Sequence, residues 1–306
     1  MTIHDPLTVD TLIAAFDEHL WRTGGVCPQV RRNYSRYVRA FLEEVFAAGP
    51  VNPARISVHD IVEFVSAMTA RYRPSTVQLV ATSLRSFFRF LRAQGLRDDR
   101  LEEAVPMVPR RQLAGLPRHL EGPQFTRLIA SLDGSSPVDL RNRAILLCLA
   151  SLGLRASEVA RLRLDDIDWR NGLVHVHTRK TGRGAVLPLP HELGQALVAY
   201  LRRGRPVTQT RHVFVLHHMR VGEPISRQTV GDAVRRALRH AGICAPVRGA
   251  NLLRHSLATD LLGHGATLKE IADLFGHRSL TTTRIYAKVD VAVLREVALP
   301  WPQVKP

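Results

Sequence analysis

Five side chains in the C-terminal half, Arg155, Lys180, Arg254, His277 and Tyr286, are of the types that breaking a phosphodiester without a metal requires. That reaction needs a nucleophile, cations around the nonbridging oxygens and an acid for the leaving 5′ oxygen. A tyrosine hydroxyl can serve as the first, two arginines as the second and a lysine as the third. Arginine grips phosphate through its fixed fork but stays charged at any usable pH, whereas lysine can give up a proton. Only Lys180, Lys269, Lys288 and Lys305 occur among the 43 basic residues, so a lysine acid comes from those four. Taken singly each of the five is ordinary: a tyrosine near a C-terminus usually packs or faces solvent, and a lysine in a turn is usually solvated.

The chain as a whole fits a partner that is a polyanion. Its 306 residues suit two domains better than one core. A formal net charge of +16 points to nucleic acid before other acidic partners. A membrane reading fails, because the longest wholly apolar run, residues 144–150, falls far short of the ~20 residues of a spanning helix. The first residues lack a basic stretch followed by an apolar one, so cytoplasmic residence is the expectation. Cys27, Cys148 and Cys244 form no CxxC pair and are read as reduced.

The elements that must position these residues fall into two groups. Apolar residues at helical spacing predict four amphipathic helices in the first hundred residues: Val9 to Leu20, Val30 to Val45, a third opening near Ser57, and a fourth running from a Ser75 cap to Gly95. Arg32, Arg36 and Arg39 share one stripe of the second helix, and Arg85, Arg89 and Arg92 one stripe of the fourth. Both stripes suit a DNA backbone and equally suit a solvated face. Periodicity then lapses around Pro106, Pro109, Gly115 and Pro117. The expected domains are therefore 1–104, a linker at 105–118, and 119–306.

Beyond the linker, helices are predicted at 123–132, 140–152, 191–203, from a Ser226 cap to 241, at 251–262, and from a Thr267–Glu270 capping box to 275. The one clear β signal is a hairpin or sheet edge at 173–177 and 185–189, with Lys180 in its turn. His175 with His177, and His217 with His218, lack a third ligand at zinc-like spacing. Asp165, Asp166 and Asp168 resemble a magnesium cluster superficially, but they sit between a helix exit and a turn and are read as structural.

Four segments give the five residues a common frame. Ser151-Leu152-Gly153-Leu154-Arg155-Ala156-Ser157-Glu158, Leu253-Arg254-His255-Ser256-Leu257-Ala258-Thr259, Leu274-Phe275-Gly276-His277 and Thr281-Thr282-Thr283-Arg284-Ile285-Tyr286 resemble, in order and spacing, the signature boxes of the tyrosine recombinase or phage integrase family, the Xer-like branch especially. The resemblance implies a mainly α protein with a small β-sheet. Its helical core-binding bundle and mixed α/β catalytic domain would close on DNA as a C-shaped clamp. It makes Arg155 and Arg254 the phosphate-clamping pair, Lys180 the acid, His277 a donor to the scissile phosphate, Glu158 a supporting acid and Tyr286 the nucleophile.

It also implies a 3′-phosphotyrosine intermediate, no metal, ATP or other cofactor, and a double-stranded DNA recombination site as partner. Assembly would be a homotetramer on synapsed DNA or a hetero-assembly with related recombinases. Alternatives are a type IB-like topoisomerase activity without site pairing, and a noncatalytic DNA-binding or synapsis partner. The residues 298–302 resemble tails of integrases carried on mobile elements.

One position departs from the resemblance. Where the family usually has His-x-x-Arg, this chain reads Asn251-Leu252-Leu253-Arg254. An amide can donate a hydrogen bond to phosphate but cannot shuttle a proton. His255 is one helical step from Arg254, about 100° round, and is expected to face elsewhere.

Overall fold

The computed structural model describes residues 7–47, 49–108, 119–132, 134–177, 184–245 and 249–276. Lys180, His277 and Tyr286 lie outside them. The chain divides into two compact units, Met1–Gln112 and Leu113–Pro306.

The N-terminal unit is a helical bundle. Helix α1 (Val9–Gly24) is capped by Thr8 and buries Leu12, Ile13, Phe16 and Leu20; α2 (Pro28–Phe46) buries Tyr37, Val38, Phe41 and Leu42. In α3 (Val58–Arg71) the Ser57 and Asp60 side chains cap the first turn reciprocally. The following helix, α4 (Pro74–Ala93), begins two residues earlier than a Ser75 cap allows, with Arg73 at the cap and Pro74 in the first turn. Proline fixes the helical φ there and loses only an N–H that would go unpaired anyway. Phe16 meets Phe87 edge-on at 5.4 Å, and Phe41 meets Phe64 likewise at 5.3 Å, so ring geometry as well as burial locks the bundle.

A short helix, α5 (Leu101–Ala104), then folds back. Leu101 and Val105 are buried, and Arg85 donates to the carbonyls of Val105 and Pro106 at 2.9 and 3.0 Å. The first residues of the stretch read as linker are thus held by this unit.

The C-terminal unit is built on α7 (Pro137–Ser151), preceded by α6 (Gly122–Ala130). Residues 144–150 of α7 are all buried, which makes it a central helix rather than an amphipathic one. That uniformity explains why periodicity places its start at 140, whereas the Ser136 cap and Pro137 open it three residues earlier. After α8 (Ala156–Arg161) come β1 (Ile167–Asp168), β2 (Leu173–Val176) and β3 (Ala185–Pro188), an antiparallel sheet in the order β1-β2-β3. The register pairs Val176 with Ala185; the expected turn with Lys180 lies outside the described residues.

Helices α9 (His191–Arg203), α10 (Arg227–His240), α11 (Ala250–Gly263) and α12 (Leu268–Leu274) complete the described unit. Its core joins Leu146, Leu149, Leu197, Tyr200, Phe214, Val234 and Leu252. Cys148 is wholly buried in that core, and burial pushes its thiol up to about 12, so it packs as a small apolar side chain. Among the described residues no helix is long and apolar enough to cross a membrane.

Candidate active site

Helix α7 stops at Ser151, and Gly153 then takes φ +59°. A glycine is needed there on two counts. The left-handed conformation disfavours a side chain, and a Cβ would run into the Phe275 ring and crowd Leu257. The break redirects the chain so that Arg155 caps α8. Its side chain is partly exposed, and its Nη1 donates to Glu158 Oε1 at 2.8 Å while its backbone N donates to Glu158 Oε2 at 2.8 Å. Glu158 is buried, with 7 % of its side chain exposed. A buried carboxylate therefore fixes both the main chain and the guanidinium of Arg155.

Arg254 comes from the second turn of α11 and is only 5 % exposed. Its Nη1 donates to the Gly153 carbonyl at 2.5 Å and its Nη2 to the Phe275 carbonyl at 2.8 Å. The guanidinium also lies 4.0 Å from the centre of the Phe275 ring. One side chain thus ties α11 to the helix break two residues before Arg155 and to the end of α12, two residues before His277. Asn251 is exposed on the first turn of α11, on the same side as Arg254 by its i, i+3 spacing.

Sequence reasoning gave neither the Gly153 carbonyl nor the Phe275 carbonyl a part in holding Arg254. The signal for Gly153 was present, since a glycine just after an apolar helix marks a left-handed turn; nothing in the sequence marks the Phe275 carbonyl as an acceptor. His255, expected to face elsewhere, is half-buried, and burial first, then the charges of Arg254 and His119, push its pKa down.

Burial also lowers His212, with Arg163 adding to it, and His217. These imidazoles protonate in the unfolded chain, near pH 6.5, before they do in the folded one. Unfolding therefore takes up protons in this window, and stability must fall as pH drops from about 6.5 towards the lowered folded values. The thermal midpoint of the chain should decline over that range. Replacing His255 with Gln should flatten part of the decline; an unchanged profile would remove His255 from this linkage.

The three aspartates are used locally. Asp165 pairs with Arg211, Asp166 accepts from the Arg163 backbone at 2.8 Å and lies 3.2 Å from His177, and Asp168 accepts from the backbone and side chain of Asn171. Among the described residues no group of three or more His, Cys, Asp or Glu is placed to hold a metal ion.

In the N-terminal unit the two arginine stripes separate. Arg39 pairs with Asp10 at 2.6 Å, Arg92 with the buried Glu102 at 2.9 Å, and Arg85 is spent on the carbonyls already named. Arg32, Arg36 and Arg89 are exposed and pair with no carboxylate among the described residues, Arg32 bonding to Gln29 at 3.2 Å and Arg36 to the Tyr37 hydroxyl at 2.7 Å.

A mainly helical chain with a three-stranded sheet, and an arginine buried where a helix break meets two helix ends, has close counterparts among known proteins. Residues 118–292 match the phage integrase family and residues 13–95 the phage integrase N-terminal SAM-like domain. The Sinorhizobium fredii protein y4rA is 39 % identical over 98 % of this chain and 73 % of its own. The tyrosine recombinase XerD of Mycobacterium tuberculosis is 33 % identical over 95 % of this chain and 96 % of its own. The crystal structure of the XerH site-specific recombinase bound to a palindromic difH substrate, a post-cleavage complex, shares the fold. Its TM-score is 0.76 at 21 % identity, covering 95 % of this chain and 84 % of that one. The chain belongs to the phage integrase family and is a site-specific tyrosine recombinase.

Proposed function

We propose that this chain cleaves and rejoins duplex DNA through a 3′-phosphotyrosine on Tyr286, with Arg155 and Arg254 clamping the scissile phosphate. The observation that carries this reading is the tether of Arg254 to the Gly153 carbonyl, which holds two cationic side chains, distant in sequence, to one helix break. Converging guanidiniums stabilise the charge that builds on the phosphorane, commonly the largest catalytic contribution. They also favour the phenolate of Tyr286, whose ordinary pKa of about 10 otherwise keeps its proton.

Lys180 protonates the leaving 5′ oxygen, His277 donates to the phosphate, and Glu158 acts through Arg155 by holding it. The phosphotyrosine conserves the energy of the bond, so rejoining needs neither ATP nor a metal. Attack by the 5′ hydroxyl of a partner duplex then exchanges strands.

The N-terminal unit contributes DNA contacts through Arg32, Arg36 and Arg89, the exposed stripe residues that pair with no carboxylate among the described residues. The units divide the work as core-binding and catalytic domains joined through the stretch up to residue 118. The working assembly is a tetramer on two synapsed sites, as in the lambda integrase tetramer bound to a Holliday junction, whose likeness to this chain is in fold. The chain acts in the cytoplasm on sites bounding a mobile element.

The test is a plasmid carrying two copies of the DNA that flanks the gene. Purified protein should yield recombinant circles and deletion products; relaxation of supercoils without recombinants would instead define a topoisomerase.

Asn251 stands where the family's histidine usually does, and its amide donates one hydrogen bond to the scissile phosphate with no proton transfer. Asn251→Ala should then lose about 1.5 to 3 kcal/mol, or roughly ten- to a hundredfold in single-turnover cleavage, independent of pH. Asn251→His should cleave at least as well as the native chain and gain a pH dependence near about 6.5. An alanine variant that cleaves at the native rate removes the amide from the site.

A further inference from the structure

Arg141, on the first half of α7, is an arginine buried to 8 % exposure whose partners are all neutral. Its Nε and Nη2 donate to Asn142 Oδ1 at 3.3 and 3.1 Å, and its Nη1 donates to the Val215 carbonyl at 3.2 Å and lies 3.2 Å from His217 Nδ1. His217 is itself held towards its neutral form by burial. Burial pushes the Arg141 pKa down, Tyr200 works against that and the nearby charge of Arg236 adds to it; no carboxylate takes part. A buried charge without a counter-ion is costly, and the cost is ordinarily met by pairing.

The side of α10 facing Arg141 brings one acid, Asp232, and more cations. Arg141 and Asn142 line one wall of a cavity of about 520 Å³; Thr229, Asp232, Arg235, Arg236 and Arg239 line the other. Asp232 is engaged by Arg235. Among the described residues no carboxylate pairs with Arg236 or Arg239. Two helices therefore bring four guanidiniums to one cavity, of which Arg235 alone has a carboxylate partner among the described residues.

The geometry points to this cavity as a phosphate-binding site, formed by Arg141, Arg236 and Arg239 and separate from the clamp made by Arg155 and Arg254. Guanidinium forks match the oxygens of a phosphate or phosphate ester two at a time, and a phosphate group supplies the charge that Arg141 lacks. The ligand is either a backbone phosphate of bound DNA or a small phosphate ester. The chemistry is shared, and the two sources separate by experiment.

The full-length chain and two variants, Arg236→Gln/Arg239→Gln and Asn142→Asp, are melted with inorganic phosphate titrated against potassium chloride at constant ionic strength. Asn142→Asp puts a carboxylate where Arg141 already bonds, so it supplies the missing counter-ion from within. Its midpoint in chloride alone should equal or exceed that of the native chain, showing that the fold is intact. Phosphate should raise the midpoint of the native chain and raise those of both variants by much less.

Binding to a nonspecific duplex as a function of salt then identifies the source. A log–log slope smaller by about one in the double variant assigns a DNA backbone phosphate. An unchanged slope with phosphate protection lost assigns a small phosphate ester. Equal phosphate protection in all three proteins together with equal slopes overturns the site.

Discussion

Tyr286→Phe should abolish covalent attachment to DNA while leaving site binding intact, because the change removes only the attacking oxygen. With a nicked suicide substrate the native chain should form an adduct that migrates slowly on a denaturing gel, and EDTA should not affect it. The leaving 5′ hydroxyl diffuses away on such a substrate, so the phosphotyrosine accumulates and even slow cleavage becomes visible. The variant should give no adduct, yet retard the same duplex at the same protein concentration on a native gel. A persistent adduct in the variant, or loss of the native adduct on chelation, would overturn the assignment of the nucleophile or of the metal-free chemistry. Rejoining is tested in the same system: an added strand with a free 5′ hydroxyl should reverse the adduct.

The second large effect is expected at Arg254, where structure and chemistry depend on the same fork. Arg254→Lys keeps the charge, but an ammonium is a point donor and cannot reach the Gly153 and Phe275 carbonyls together while facing a phosphate. Cleavage should fall by about 10²- to 10³-fold, the usual cost of removing one donor from a site that stabilises developing negative charge. Stability should fall by roughly 1–3 kcal/mol, because at least one buried carbonyl loses its partner.

Gly153→Ala distinguishes the two contributions. It leaves every cationic group in place but strains φ and drives a methyl into the Phe275 ring. It should therefore lower the urea midpoint and displace Arg254 without removing any charge. Single-turnover cleavage and urea unfolding of the three proteins decide the matter. An Arg254→Lys chain that unfolds at the native midpoint and cleaves within about threefold of the native rate would show that the tether neither supports the fold nor aims the guanidinium.

Much of this protein is legible in one dimension, for definite reasons. Helices α1 to α4 announce themselves because each buries one stripe, and a stripe leaves a period of 3.6 in the sequence. The caps at Ser57, Ser226 and Thr267 are short-range bonds between a side chain and a nearby N–H, so they too are local. Helix α7 is less legible, since a helix buried all round has no stripe to count. The order of Arg155, Arg254, His277 and Tyr286, in four boxes of fixed composition, determined the family and the kind of chemistry without any fold.

What only the tertiary structure decided is which like residues have like uses. Six arginines on two stripes look equivalent in sequence, but α5 folds back onto α4 and engages Arg85 and Arg92 as anchors, while Arg89 between them has no carboxylate partner among the described residues. Arg254 and Arg141 read alike as charged residues on helices. One is held by two carbonyls beside a helix break, and the other sits among neutral acceptors with further arginines across a cavity. The physical reason is range. Periodicity, caps and turns depend on neighbours a few residues away, whereas the partner of a buried charge is set by chain segments about a hundred residues off, and only folding brings those into reach.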